Sequence, residues 1–176
     1  MSYDYILAID PSGNFNEGKG TTGFCLLNAR KTPAHAIMLT CGIQASKAHT
    51  KEEYWQEHLN FIDGIVEQHK NIIIVIENFT LDPRRALAQA HSEMETPKLI
   101  GILQLYLTQY NIPYVMQRPS EVKSRWTDSI LVWKKYLQQR GHNYILPNTN
   151  KVINRHEKDA VRHAVHYSTF KNKEEI

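Results

Sequence analysis

The sequence predicts an α/β protein with a five-stranded mixed sheet and helices on both faces. Three short apolar segments follow one another near the start with short connections, which is typical of an antiparallel meander. The continuous β-branched run from Ile72 to Ile76 fits a central strand that is buried on both faces. After this run, helical and strand patterns alternate, as they do in units with parallel strands.

The composition is that of a globular protein. The chain has 176 residues, of which 41% are hydrophobic and 22% charged, so disorder is excluded and disulfides or a structural metal are not needed for folding. We expect a single domain over residues 1–170 and a polar tail over residues 171–176. Cys25 and Cys41 lie in apolar stretches, as buried thiols of a reducing compartment do.

The sequence also bears on location. No apolar run approaches the roughly 18 residues that span a bilayer, and the N-terminus lacks the basic start of a signal peptide. We therefore expect a cytoplasmic protein without membrane contact.

The net charge of +3 hides an asymmetry along the chain. Residues 1–117 carry 9 Lys and Arg against 12 Asp and Glu, whereas residues 118–176 carry 12 against 6. A basic last third suggests a polyanionic partner, although a chance distribution of surface charge explains it equally well.

The first half of the chain contains the predicted meander, one helix and the buried strand. The meander covers residues 5–9, 22–27 and 36–43, and Pro11 and Gly13 end its first strand after Asp10. Thr50 and Glu53 have the spacing of a capping box, which predicts a helix running to about His69.

The second half continues with helices and one more strand. Thr96 and Pro97 predict the start of a helix over residues 97–110, followed by a strand over 114–117. A helical turn is expected from Ser120, and a helix capped by Asp128 or Ser129 is expected to run through Tyr136 to Gln139. Residues 141–152 are expected to form a loop. Asn154 is expected to cap the last helix, residues 155 to about 170.

Three carboxylates lie at strand ends or on a helix face, where they could bind metal ions. Asp10 closes the first strand, Glu77 closes the buried strand, and Asp159 lies in the last helix three residues after His156. The carboxyl ends of neighbouring strands meet at the crevice where open α/β sheets bind ligands. Oxygen ligands from three chain regions suit Mg²⁺ or Mn²⁺, and two such ions can drive phosphodiester hydrolysis.

Each of these residues also has a structural explanation. Asp10 could cap a turn, Glu77 could pair with Arg84 or Arg85, and His156 and Asp159 could be solvated residues of the first helical turn. The spacing alone leaves both explanations open.

Three segments resemble the motifs of the RuvC Holliday junction resolvases. The run from Ile6 to Ser12 with Thr22-Gly23-Phe24 is similar to their opening strand and Thr-Gly pair. Ile76-Glu77-Asn78-Phe79 resembles their second motif, and residues 156–165 resemble their closing helix. The motifs keep their order and spacing over nearly the whole chain. Ser12 in place of glycine and a longer loop over 13–21 suggest a bacteriophage-type branch.

This resemblance implies an RNase H-like fold, a homodimer and an endonuclease that nicks two strands of a four-way DNA junction with Mg²⁺ or Mn²⁺, two ions per site. The matched catalytic and metal-binding residues are Asp10, Glu77, Asp159 and His156, and Lys123 matches a lysine near the scissile phosphate. The implied DNA-binding residues, which could equally be core or surface residues, are Phe79, Arg84, Arg85, Arg118, Lys123, Arg125, Lys134 and Lys135.

Two other activities remain open at this point. Another RNase H-like nuclease would cut RNA–DNA hybrids, flaps or forks, and a non-catalytic module would only bind DNA. Nucleoside triphosphate binding is not expected, because no Gly-Lys-Ser/Thr follows the glycines at 13, 18 and 20.

Overall fold

The computed structural model describes residues 2–81, 84 and 94–172. A five-stranded sheet with the order β3-β2-β1-β4-β5 forms its centre. Its strands are β1 (Tyr5–Asp10), β2 (Thr21–Asn28), β3 (Ile37–Gln44), β4 (Ile72–Glu77) and β5 (Tyr114–Gln117). The first three strands are antiparallel, and β4 is parallel to both β1 and β5. The predicted mixed sheet with its meander is confirmed.

Helices cover both faces of this sheet. They are α1 (Pro33–Ala36), α2 (Lys51–Gln68), α3 (Glu95–Gln109), α4 (Pro119–Arg125), α5 (Asp128–Trp133) and α6 (Arg155–Phe170). Alternate residues of β1 pack on opposite faces of the sheet, because side chains of a strand point alternately to either side. Leu7 and Ile9 pack with α2 and α3, whereas Ile6 and Ala8 pack with α4, α5 and α6. None of the helices described is long and apolar enough to cross a membrane.

The segment between α4 and α6 differs from the prediction. The helix expected to run through Tyr136 to Gln139 ends at Trp133, and Thr127 caps it by accepting a hydrogen bond from the Ile130 N–H. The expected loop over 141–152 instead contributes to a three-stranded sheet of β6 (Gln138–Arg140), β7 (Asn143–Ile145) and β8 (Val152–Ile153). These strands are only two or three residues long, too short for a period-2 pattern to show.

Two helices begin at the N-cap residues that the sequence predicts, and one begins earlier. Asn154 and Glu157 form a complete capping box at the start of α6. Thr50 caps α2, but the Glu53 carboxylate accepts from the His49 N–H rather than completing the box. Helix α3 begins at Glu95, two residues before the predicted Pro97, and the Thr96 hydroxyl accepts from the Gly13 N–H instead of capping the helix.

Gly23 lets α6 start directly against the sheet. A Cβ on Gly23 would lie 2.2 Å from the carbonyl carbon of His156, closer than packed atoms allow. We therefore expect Gly23→Ala to lower the free energy of unfolding by about 1–3 kcal/mol and to move His156 away from the strand end.

Gly64→Ala is the matched control for this prediction. Gly64 lies inside α2 with nothing within 4 Å of its ideal Cβ, so alanine there should leave stability unchanged or raise it by up to about 1 kcal/mol. Urea unfolding of the two variants measures the contrast. Equal stabilities would show that the backbone at Gly23 adapts without cost.

Candidate active site

Two strand ends and one helix start form the candidate site. The register pairs Ile9 with Ile76 on parallel strands, so Asp10 and Glu77 follow side by side at the carboxyl edge of the sheet. The capping box fixes the start of α6, and its first two turns carry His156 and Asp159. The structure thus brings together the three acids and the histidine that the sequence singled out.

Asp10 is paired with His156. Nδ1 of His156 and Oδ2 of Asp10 form a hydrogen bond of 2.9 Å. Burial, with the charges of Glu77 and Asp159, raises the pKa of Asp10 above its ordinary value, against the opposing effect of the His156 hydrogen bond. The same hydrogen bond raises the pKa of His156, outweighing its partial burial. The contact therefore couples the protonation of Asp10 to that of His156.

Glu77 is held by two basic side chains. Its Oε2 is 2.8 Å from Nε2 of His163, and its Oε1 accepts from Nζ of Lys123 at 3.1 Å. Burial works against ionisation of Glu77, but His163 and Lys123 outweigh it and hold its pKa below the ordinary value. The expected alternative, pairing of Glu77 with Arg84 or Arg85, is not what these contacts show, and Arg85 lies outside the described residues.

Asp159 takes part in a second network on α6. Nζ of Lys123 is 3.1 Å from its Oδ2, so this lysine bridges Asp159 and Glu77. Arg162 contacts the other oxygen and also reaches Asp128, the first residue of α5. Although burial disfavours a charged lysine, the two carboxylates raise the pKa of Lys123 and keep it positively charged.

The donor set fits a divalent cation. The three carboxylates, from β1, β4 and α6, are hard oxygen ligands of the kind that Mg²⁺ and Mn²⁺ accept, and His156 on α6 adds a nitrogen ligand. Within the described residues, no three of these groups converge as metal ligands do. A positive charge is nonetheless present between two of the acids, where the Lys123 ammonium contacts Glu77 and Asp159. The place between these carboxylates is therefore one that attracts a cation.

A buried hydrogen-bond network fixes the chain directly after Asp10. The Thr22 hydroxyl oxygen accepts from the Ser12 N–H at 3.1 Å, and the Tyr54 hydroxyl donates to the Ser12 carbonyl at 2.6 Å. His58 completes the network, with Nδ1 2.6 Å from the Tyr54 carbonyl oxygen and Nε2 2.8 Å from the Thr22 hydroxyl. Both backbone groups of Ser12 are thus held, which fixes the direction of the chain beyond Asp10.

This network predicts a loss of stability in mild acid. Burial lowers the pKa of His58 to about 4, from 6.5 in an unfolded chain. Between these values only the unfolded chain takes up the proton, so stability is complete above pH 6.5 and falls towards pH 4. The full difference is about 3 kcal/mol in the free energy of unfolding.

Urea unfolding at several pH values between 4 and 7 measures this effect. His58→Gln should be less stable than the wild type at pH 7 but show a flatter pH dependence. His142→Gln, at an exposed position, should keep the wild-type slope. A slope that survives in His58→Gln would assign the acid sensitivity to other groups.

Phe79, the aromatic residue expected to contact DNA, lies beside the acids. It lines a cavity of about 150 Å³ together with Asp10, Glu77 and Pro119. Phe79 also packs against the core on the α2 and α3 side of the sheet. It therefore has both a structural role and a surface at the site, so its predicted contact with DNA stays a prediction.

The basic residues expected to contact DNA are spread more widely. Arg118 is exposed at the start of α4, on the loop that follows β5. Arg125 lies over the Phe170 ring, its guanidinium carbon 5.2 Å from the ring centre, at the opposite end of α6 from Asp159. Lys134 and Lys135 are exposed just beyond α5, and Arg84 is also exposed. Of the predicted lysines, the structure brings only Lys123 into contact with the acids.

No family model and no curated protein matches this sequence, but solved structures do. Thermus thermophilus RuvC in complex with a Holliday junction substrate superimposes with a TM-score of 0.64 at 12% sequence identity, covering 93% of this chain and 92% of that chain. A second structure of T. thermophilus RuvC gives a TM-score of 0.63 at 11% identity, with 93% of each chain covered. The chain has the fold of RuvC. The RNase H-like fold expected from the three motifs is therefore confirmed.

Within this RuvC fold, sequence reasoning overlooked several supporting residues. The fully buried ring of His163 joins Glu77 to Gln117, whose Oε1 is 2.8 Å from Nδ1 of His163. Its position four residues after Asp159, on one helical face, was the available signal. Arg162, three residues after Asp159 on the same helix, carried the same signal, whereas His58 carried none, because its partner Thr22 is remote in sequence.

Proposed function

We propose that this protein is a metal-dependent endonuclease that cuts branched DNA, with the four-way junction as its substrate. The observation that carries the proposal is the grouping of Asp10, Glu77 and Asp159 at one edge of a RuvC-like sheet. Carboxylates are costly to bury together without cations. Their placement at the carboxyl edge, where α/β sheets bind ligands, favours chemistry over a structural role.

Metal binding is part of this proposal. Asp10, Glu77, Asp159 and His156 would hold Mg²⁺ or Mn²⁺, with two ions per site. When bound, such ions activate water for attack on phosphorus and stabilise the leaving oxygen, which leaves 5′-phosphate and 3′-hydroxyl ends.

The protein's own side chains prepare the site for this reaction. His156 orients Asp10, His163 orients Glu77, and Arg162 orients Asp159 through the contacts described above. The Lys123 ammonium is placed to stabilise negative charge that develops on the phosphate, a role in which one donor contributes about 10²–10³-fold in rate. Each carboxylate thus has a basic neighbour that fixes its direction.

A junction resolvase also needs a second active site. Two symmetric nicks in a four-way junction require two sites related by a two-fold axis, so we propose that the protein acts as a homodimer. The basic last third of the chain supports DNA as the polyanionic partner.

A cleavage panel tests the proposal. A synthetic four-way junction, a duplex of the same sequence, a Y-fork and an RNA–DNA hybrid are each incubated with Mg²⁺ or Mn²⁺. We expect paired nicks in the junction and none in the duplex. Preferential cutting of the hybrid would reassign the protein as a ribonuclease H, and binding without any cleavage would reassign it as a DNA-binding module.

A further inference from the structure

Trp133 stands out on the surface of the segment where structure and prediction differ most. Its 73% exposure is the largest of any large hydrophobic residue in the described part of the chain. By contrast, Trp126 is 5% exposed and Trp55 packs against the core. An exposed indole offers a large flat apolar face that a ligand can cover.

The backbone around Trp133 is firmly anchored. Helix α5 ends at this residue, and Lys135 has the left-handed conformation, with a φ of 66°, that terminates many helices. The Tyr136 N–H donates to the Leu131 carbonyl at 2.9 Å, which closes the turn. Leu131 and Leu137, on either side, are buried in the core. The exposed ring therefore sits on a rigid support and not on a loose loop.

The surroundings of the ring are basic. Nζ of Lys134 lies 4.5 Å from the ring centre, and Lys135 and Arg140 are exposed nearby in the sequence. Asp128 is the single acid between residues 126 and 151, and its charge is taken up by Lys158 and Arg162. An aromatic ring beside basic side chains suits a ligand that has both flat π faces and negative charge.

The helix that carries the ring is linked to the acidic site through one side chain. Arg162 connects Asp159 to Asp128, where α5 begins. Trp133 follows five residues later, about 8 Å further along the helix.

We propose that Trp133, with Lys134, Lys135 and Arg140, forms a stacking platform for an unpaired base of branched DNA. This inference rests on the proposed function, because it assumes that the polyanion is branched DNA. A base unstacked at a branch point offers its face to the indole, and the three basic residues contact the neighbouring phosphates. Stacking of this kind does not depend on sequence, since every base has a π face.

Binding measurements in an Asp10→Asn background test the platform without cleavage. Trp133→Ala should weaken binding to a four-way junction about tenfold, whereas Trp133→Phe should retain most of the affinity. Trp133→Ala should leave the salt dependence unchanged, while Lys134→Gln should lower the slope of log K against log salt by roughly one. Leu105→Ala, at another exposed apolar position that is 60% exposed, should change neither.

The outcomes separate this inference from the proposed function. Cleavage of the junction by a Trp133→Ala enzyme with unchanged affinity would overturn the platform and leave the nuclease assignment intact. Tryptophan-dependent binding without cleavage by the wild type would support the platform and overturn the nuclease. A change from dimer to monomer in Trp133→Ala, seen by light scattering, would overturn the platform by showing that a second copy covers the ring. Absence of DNA binding by the wild type would overturn both.

Discussion

Asp10→Asn is expected to abolish junction cleavage while the protein stays folded and binds the junction with nearly wild-type affinity. The amide keeps the shape of the side chain but removes a negative charge from the group that would hold the metal. Metal ions contribute several kcal/mol to phosphodiester cleavage, so the rate should fall by about three orders of magnitude or more. Single-turnover cleavage of a labelled junction measures this loss.

Stability provides the control for this variant. Asp10 is buried beside two other carboxylates, so removing its charge relieves repulsion even as the pairing with His156 weakens. We therefore expect Asp10→Asn to unfold at the same urea concentration as the wild type or at a higher one. Full cleavage activity in this folded variant would refute the assignment of Asp10.

Lys123→Gln is expected to have the second largest effect, lowering the cleavage rate by about 10²–10³-fold. Glutamine retains most of the length but loses the charge that Lys123 places 3.1 Å from both Glu77 and Asp159. Without metal, the two carboxylates then repel each other, so the melting temperature should fall. Adding Mg²⁺ should recover part of this loss, because the added cation compensates the same carboxylates.

Lys70→Gln is the matched control. Lys70 is exposed just before β4, at the opposite end of the strand from Glu77, so its loss should affect neither the cleavage rate nor the response to Mg²⁺. The role of Lys123 is contradicted if both lysine variants behave alike in both measurements.

Local patterns account for most of the central sheet and for one helix start. The β-branched run before Glu77 predicts a strand that is buried on both faces, because such a strand accommodates apolar side chains on either side. Asn154 and Glu157 identify the start of α6 because capping is decided within four residues. The stretch over 138–153 escaped prediction because its strands are very short and pair through contacts that no local pattern records.

In the candidate site, too, some features could be predicted from the sequence and others only from the structure. The sequence by itself determined the positions of Asp10 and Glu77 at strand ends and of His156 and Asp159 on one helical face, because strand and helix periodicity fix such placements. Only the tertiary structure decided how these charges are compensated. The Lys123 bridge, the His163 contact and the Arg162 link join residues that are remote in sequence or lie on different elements. Hydrogen bonds act over about 3 Å in space, and the fold alone brings such groups together.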